Sequence, residues 1–380
     1  MSELVLGNAQ VVLPDRVIAG HVVVSDGLIV EIGQGPVNTP AVDLDGAYLL
    51  PGLVELHTDH LEGHYHPRPG VSWPPLSAVL AHDAQIAAAG ITTVFDALRA
   101  GAFESEPASM RDGTRTLADA IGKASESNIL RAEHFIHLRC ELPCPDTVEV
   151  AEEILAGGLV RLLSVMDHTP GERQFVNIDK FREYYLGKKI ISAERLEIFI
   201  AERREMNHLY SARNRAAIAG LAALHQLRLA SHDDATAAHV AEAIADGAAI
   251  AEFPTTAESA GTAHESGLAV LMGAPNLVRG GSHSGNIGTS AVAASGHLDV
   301  LSSDYVPSSL LHAAFALPGY VEHITLPEAV NMVSRNPAAA AGISDRGQVA
   351  SGLRADFAVV RLVGKTPVIR SVWREGERVL

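Results

Sequence analysis

The sequence predicts a (β/α)8 TIM barrel with a small β-sandwich domain formed by the N- and C-terminal segments. Three observations predict it. Eight apolar runs of four to seven residues alternate with Ala-rich helical stretches through the middle of the chain. Both ends instead read as short strands with turn punctuation. A chain of 380 residues with 47% hydrophobic and 19% charged residues can also bury a core of that size, and nothing in the composition is disordered or fibrous.

The elements follow in order. At the N-terminal end, LVLGNAQVVL and HVVVSDGLIVEIG are antiparallel strands, with Asp26-Gly27 as a hairpin turn. ADFAVVRLVG and VIRSVWREGERVL near the C-terminal end have the same character, so the two ends are expected to share a sheet. The domain division is therefore 1–50 plus 345–380 for the β-domain and 51–344 for the barrel. Predicted barrel strands cover 53–59, 92–97, 134–142, 160–168, 227–232, 249–253, 269–272 and 298–304, with helices between them at, for example, 76–89, 114–125, 236–245 and 326–333. One insertion breaks the rhythm: GERQFVNIDKFREYYLGKKI leads into a charged helical tract, read as a solvated face or as a lid or oligomer contact.

With 29 Lys+Arg against 45 Asp+Glu, the net charge is -16, which opposes a non-specific grip on nucleic acid or an anionic membrane. A phosphorylated small molecule would need local cations or metals. No apolar stretch approaches the 18 or so residues that span a bilayer, and MSELVLGNAQ lacks a signal pattern, so a cytoplasmic location is expected. Cys140 and Cys144 are too few for a disulfide framework or a structural zinc cage, and are expected to be reduced and inert. Eighteen histidines, several of them clustered, point toward metal.

Strand phase selects the candidate ligands. His57 and Asp59 share a face with Leu53 on the first barrel strand, whereas His60 falls out of phase. On the third, His137, Arg139 and Glu141 alternate with Ile136, Leu138 and Cys140; a central parallel strand has no wet face, so three such groups imply a site. His168, His232 and Asp304 stand at the ends of the fourth, fifth and eighth strands. The metal set is therefore His57, Asp59, Glu141, His168, His232 and Asp304, which could hold two divalent ions, zinc foremost with Mn, Fe or Co as alternatives. Such ions lower the pKa of a shared water toward 7, with Asp304 as the general base and Glu141 as a bridging carboxylate.

The segment PGLVELHTDH resembles the opening strand of the amidohydrolase superfamily, Pro-Gly, an aromatic or aliphatic residue, then Ile-Asp-x-His-x-His. That superfamily's plan is also a metallo barrel with a split β-domain. Two departures stand out. Asp59 replaces the second histidine, and none of Lys123, Lys180, Lys188, Lys189 and Lys365 ends an apolar strand, so the carboxylated-lysine bridge of many members is missing and Glu141 is expected to fill that role. Seven blocks in order, HTDHLEGHYHPRPGVSW, HDAQIAAAGITTVFDAL, HFIHLRCEL, SVMDHTPGERQF, ASHDDAT, GAPNLVRGGSHSGN and LSSDYVPSSLL, look like the amidohydrolase-fold diphosphatases of the carbon-phosphorus lyase pathway of phosphonate metabolism. The resemblance implies a cytoplasmic hydrolase of α-D-ribose 1-methylphosphonate 5-triphosphate that releases diphosphate and leaves the 5-monophosphate.

Arg68, Arg99, Arg139 and Arg279 lie at predicted strand ends or mouth loops, where guanidinium groups suit phosphate oxygens. Arg279 to Asn286, RGGSHSGN, follows the seventh strand and suits an anion nest using Ser282 and Asn286, although an ordinary turn has the same composition. His283 could protonate or bind the departing diphosphate. His64 and His66 could be a second metal pair, or simply position Arg68, while His82 and Asp83 lie on a helix as core or supporting residues. Two other functions stay open. One is a C-N hydrolase, such as a deacetylase or deaminase, using the same metal water; the other is a non-catalytic assembly protein. The partners expected are the phosphorylated sugar phosphonate and a second copy of the chain.

Overall fold

The computed structural model describes residues 3–37, 39–103, 106, 108–173, 178, 182, 192–281 and 286–380. The chain falls into two compact units. The first comprises Met1–Asp96, Ala120–Phe135 and Met272–Leu380; the second comprises Ala97–Asp119 and Ile136–Leu271.

The first unit holds a mainly antiparallel sheet drawn from both chain ends. Its strands are β1 (Glu3–Val12), β2 (Val17–Ser25), β3 (Leu28–Gln34), β4 (Val42–Asp43) and β5 (Tyr48–Pro51), joined by β14 (Phe357–Val363), β15 (Thr366–Arg374) and β16 (Glu377–Arg378). They run β16-β15-β14-β5-β1-β2-β3, with β4 on β1. Ser25 pairs with Leu28 around the expected hairpin, whose Asp26 and Gly27 both take positive φ (52° and 78°), the conformation a two-residue turn needs to match strand twist. Alternate residues of these strands, Leu6, Val22, Val24, Leu49, Phe357 and Val359 among them, pack into one core, closed by Trp373.

The second sheet contains β6 (Leu53–Thr58), β7 (Ile91–Ala100), β8 (Glu133–Glu141), β9 (Val160–Met166), β10 (Arg228–His232), β11 (Ile250–Glu252), β12 (Ala269–Gly273) and β13 (Val300–Ser302), in sequence order. Pairing is parallel from β8 through β12 in the second unit and between β6 and β7 in the first. A parallel bridge from Thr58 to Asp304 brings β6 to the end of β13. With helices between strands, this is a (β/α)8 barrel.

All six residues of β6 are buried, as a parallel strand covered on both faces requires. Three predicted strands stop short of an expected site residue: β6 ends at Thr58, β9 at Met166 and β13 at Ser302, which leaves Asp59 at the start of helix His60–Tyr65 and His168 and Asp304 in the following loops. The charged tract is a single helix, Ala193–Leu224, started by Ser192, whose hydroxyl accepts from the Arg195 amide. No helix of the described residues is long and apolar enough to cross a membrane.

Candidate active site

In the second unit the strand ends converge on imidazoles and carboxylates. Glu141 closes β8 and is 3% exposed. Its Oε1 accepts from the His168 amide at 3.0 Å, and its Oε2 lies 2.6 Å from His168 Nδ1. Burial disfavours the Glu141 carboxylate, but the charges of His168 and Arg99 outweigh burial and bring its pKa down to about 2. Burial likewise opposes charge on His168, and Glu141 more than offsets it, so the imidazole stays above its ordinary range.

His232 ends β10, with Nδ1 3.2 Å from Oε2 of the buried Glu252, which ends β11. Asp233 follows at φ 56°, and its amide donates to the Glu252 carbonyl at 2.9 Å. That left-handed turn interrupts the strand alternation. Asp233 Oδ2 is buried without a hydrogen-bond partner, 3.5 Å from His232 Nε2 and 3.8 Å from His168 Nε2. Burial raises its pKa to about 7, with the His168 and Arg139 charges pulling the other way. Donor atoms of His168, His232 and Asp233 lie within 4.8 Å of one another.

Each imidazole is thus held through Nδ1 by a carboxylate while Nε2 faces the orphaned oxygen, the usual outer support of metal-binding histidines. His137, on the inward phase of β8 as expected, contacts Ser164 Oγ at 2.8 Å and Glu252 Oε1 at 3.7 Å.

Beside this set is a cavity of about 400 Å³, lined in part by Arg99, Arg139, Arg203, Glu106, Glu141 and His168. Arg99 grips Glu106 through both terminal nitrogens, at 3.1 and 3.3 Å. Arg139 Nε reaches Met166 Sδ at 3.3 Å. The Arg203 guanidinium lies 3.1 Å from the Phe103 ring centre and 4.6 Å from that of Phe199, so a cation projecting from a long helix is stacked into the cavity wall.

In the first unit, Glu55 on β6 is fully buried. Its Oε1 accepts from the His57 amide and from Ser302 Oγ, each at 2.7 Å, and burial lifts its pKa to about 7 against those hydrogen bonds. Thr58 Oγ1 donates to the Asp304 carbonyl at 2.8 Å, and the Asp59 amide donates there at 3.3 Å. His57, Asp59 and Asp304 therefore sit on one hydrogen-bonded frame. Arg68 is exposed in a turn closed by the Val71 amide on the Arg68 carbonyl at 3.0 Å. Arg279 is exposed and reaches Tyr305 Oη at 3.5 Å.

A short helix, Ala274–Arg279, intervenes before the glycines. The amides of Gly280 and Gly281 donate to Leu277 and Asn276 carbonyls at its end, so these two amides are engaged rather than open to an anion. Ser282 and His283 lie outside the described residues, and Asn286 is half-buried.

Also in the first unit, His60 and His64 on helix His60–Tyr65 face His82 on helix Pro75–Ala88, and His82 and His134 both bind Asp96. Burial and the neighbouring imidazoles push His60 down to about 4. His134 rises to about 9, because Asp96 and Asp83 outweigh its burial. His66 instead pairs with Ser72 Oγ at 3.4 Å. Cys140 and Cys144 are buried free thiols, each pushed above the ordinary range by burial.

Comparison with known proteins agrees with this architecture. No family model matches the chain. It is 44% identical over 384 residues to the alpha-D-ribose 1-methylphosphonate 5-triphosphate diphosphatase of Escherichia coli (strain K12), covering 99% of this chain and 100% of that protein. Among solved structures it resembles N-isopropylammelide isopropylaminohydrolase from Burkholderia multivorans, with a TM-score of 0.66, 18% identity and coverage of 100% and 98% of the two chains. It also resembles N-acetyl-D-glucosamine-6-phosphate deacetylase from Mycobacterium smegmatis, with a TM-score of 0.63, 17% identity and coverage of 99% and 100%. At those identities the structures speak for the amidohydrolase fold, and the E. coli relative speaks for the family. The chain belongs to the alpha-D-ribose 1-methylphosphonate 5-triphosphate diphosphatase family, hydrolases acting on phosphoric anhydrides.

Proposed function

We propose that the protein is a metal-dependent hydrolase that cleaves α-D-ribose 1-methylphosphonate 5-triphosphate to the 5-phosphate and diphosphate. The observation that carries this reading is the 400 Å³ cavity in which three guanidinium groups, Arg99, Arg139 and Arg203, accompany Glu141 and His168. A polyphosphate brings several negative charges that such a lining matches, whereas a neutral amide does not need them.

The donor set fits divalent ions on its own chemistry. Asp233 Oδ2 lacks a hydrogen-bond donor, and His168 and His232 have their Nδ1 atoms held by Glu141 and Glu252. His168, His232 and Asp233 would hold an ion. His57, Asp59 and Asp304 join as ligands on their positions in the sequence, as does Glu141, which here holds His168. When bound, divalent ions supply a Lewis acid and an acidified water.

The protein's own residues do the rest. Asp304 accepts the proton of the attacking water, an O–P bond forms at the phosphorus nearest the ribose, and the P–O bond to diphosphate breaks. Arg99, Arg139 and Arg203 balance charge on the transferring and leaving groups, with Arg68, Arg279, Ser282 and Asn286 as further phosphate contacts and His283 assigned to the departing diphosphate. The test is turnover of that triphosphate followed by ³¹P NMR, with Asp304→Asn as control. Diphosphate formed only by the unaltered protein is the expected result. No turnover with divalent ions bound would transfer the reading to C-N bond hydrolysis.

A further inference from the structure

We propose that His60, His64 and His82 form a second binding site for a divalent transition-metal ion, zinc above all, which shares no residue with the strand-end set. His60 and His64 are one helical turn apart on helix His60–Tyr65, so their rings project from the same face, and their centroids are 4.9 Å apart. His82 comes from helix Pro75–Ala88 and is fully buried. Ligand nitrogens of the three residues lie within 4.8 Å of one another.

Three details favour an ion over a plain hydrogen-bonded cluster. First, His82 Nε2 lies 2.8 Å from Asp96 Oδ1, which places the ring proton on Nε2 and leaves a lone pair on Nδ1. Asp96 is itself fixed from its other oxygen by His134 Nδ1 at 2.7 Å, so a carboxylate orients the proposed ligand as outer-shell carboxylates orient zinc-bound histidines. Second, His82 Nδ1 and His60 Nδ1 face each other at 3.3 Å. Two nitrogens bound tetrahedrally to zinc at about 2.0–2.1 Å stand about 3.3 Å apart, so the pair already has a chelating span. Third, His64 Nε2 is buried and has no hydrogen-bond partner. A lone pair or N–H left so is unfavourable unless something binds it.

Three imidazole nitrogens suit zinc, cobalt, nickel or copper rather than magnesium or calcium, which require oxygen. The ion would pin helix His60–Tyr65 to helix Pro75–Ala88 and so fasten the intervening stretch 66–74, which carries Arg68. The site is therefore structural, acting on substrate through the placement of a proposed phosphate contact.

The test is zinc content by elemental mass spectrometry on the whole protein, purified without chelator and then equilibrated with Zn²⁺ alone. His64→Gln and His60→Gln are each expected to hold about one zinc per chain less than the unaltered protein, and to lose the rise in Tm that added zinc gives it. In the same experiment His168→Asn is expected to keep the zinc that depends on His64, which separates this site from the proposed catalytic ions. Equal zinc content in the unaltered protein and both glutamine variants would overturn the proposal. If those variants fail to fold, the unaltered protein still decides: zinc must protect His60 and His64 from diethyl pyrocarbonate, read by peptide mass mapping, and unchanged modification of both would overturn it.

Discussion

Two trios of donors in this molecule are built on different elements. His168, His232 and Asp233 stand at or just beyond the ends of parallel strands, and one of them is a carboxylate. His60, His64 and His82 stand on two helices and are all imidazole. Both borrow orientation from carboxylates behind the rings, Glu141 and Glu252 in one case and Asp96 in the other. The difference teaches how placement divides labour. Strand ends open onto a cavity lined by arginines and bring an anionic donor, so an ion held there would be partly neutralised and could meet substrate. A helix pair can fasten one segment to another, with imidazole donors and a compensating charge, Asp96, hydrogen-bonded to the far side of the His82 ring.

This contrast yields predictions of decreasing size. Replacing His168 or Asp233 by Asn should lower kcat/KM by about 10³-fold or more if, as proposed, each is a ligand of the reacting centre, whereas His64→Gln should change kcat far less; steady-state kinetics on both decide. Glu141→Gln and Glu252→Gln should keep the fold but weaken divalent-ion affinity by about 10–100-fold, read by competition with a chromophoric chelator. If they had no effect, the carboxylate support of the strand-end set would be wrong. Arg203→Met should raise KM by about tenfold, one charge-assisted contact, with little change in kcat if it acts by binding alone.

The pattern of success in reading the sequence is itself physical. Strands β6 and β8 through β12 lie within about two residues of the ranges expected from apolar runs, because a buried parallel strand has no wet face to blur its limits, whereas β7 runs three residues past its expected end to Ala100. Glu55 shares the phase of His57 on β6, so a carboxylate on that face is the available signal for its role in accepting from the His57 amide and the Ser302 hydroxyl. Asp233 was invisible to phase because its positive φ turns it out of alternation. Arg203 sits on a 32-residue helix whose many charges read as a solvated face, and its aromatic partner Phe103 is distant in sequence. Asp96, on β7, takes its meaning only from His82 and His134, which come from other elements.

The smallest effect lies outside both trios and calibrates them. Glu133 pairs with Arg346 and Arg354, and despite burial these cations hold its carboxyl below its ordinary value of 4.5. Because the folded-state value is the depressed one, its contribution is fully present above pH 4.5 and is lost as pH falls through that lower value. Denaturant unfolding of Glu133→Gln should therefore show a stability deficit that is constant near neutrality and narrows on acidification. A deficit independent of pH would mean that packing, not charge, joins these residues.

The sheet that places β5 between β1 and β14 also bears on how the protein is made. Pro51 pairs with Phe357, so one edge of β5 waits for about 300 residues of further synthesis before its partner exists. At roughly 5–20 residues per second this interval is on the order of 15–60 s on the ribosome, during which an unpaired strand edge is open to other chains. A chain that stops before β14 therefore leaves that edge unpaired, and pairing with β14 covers it.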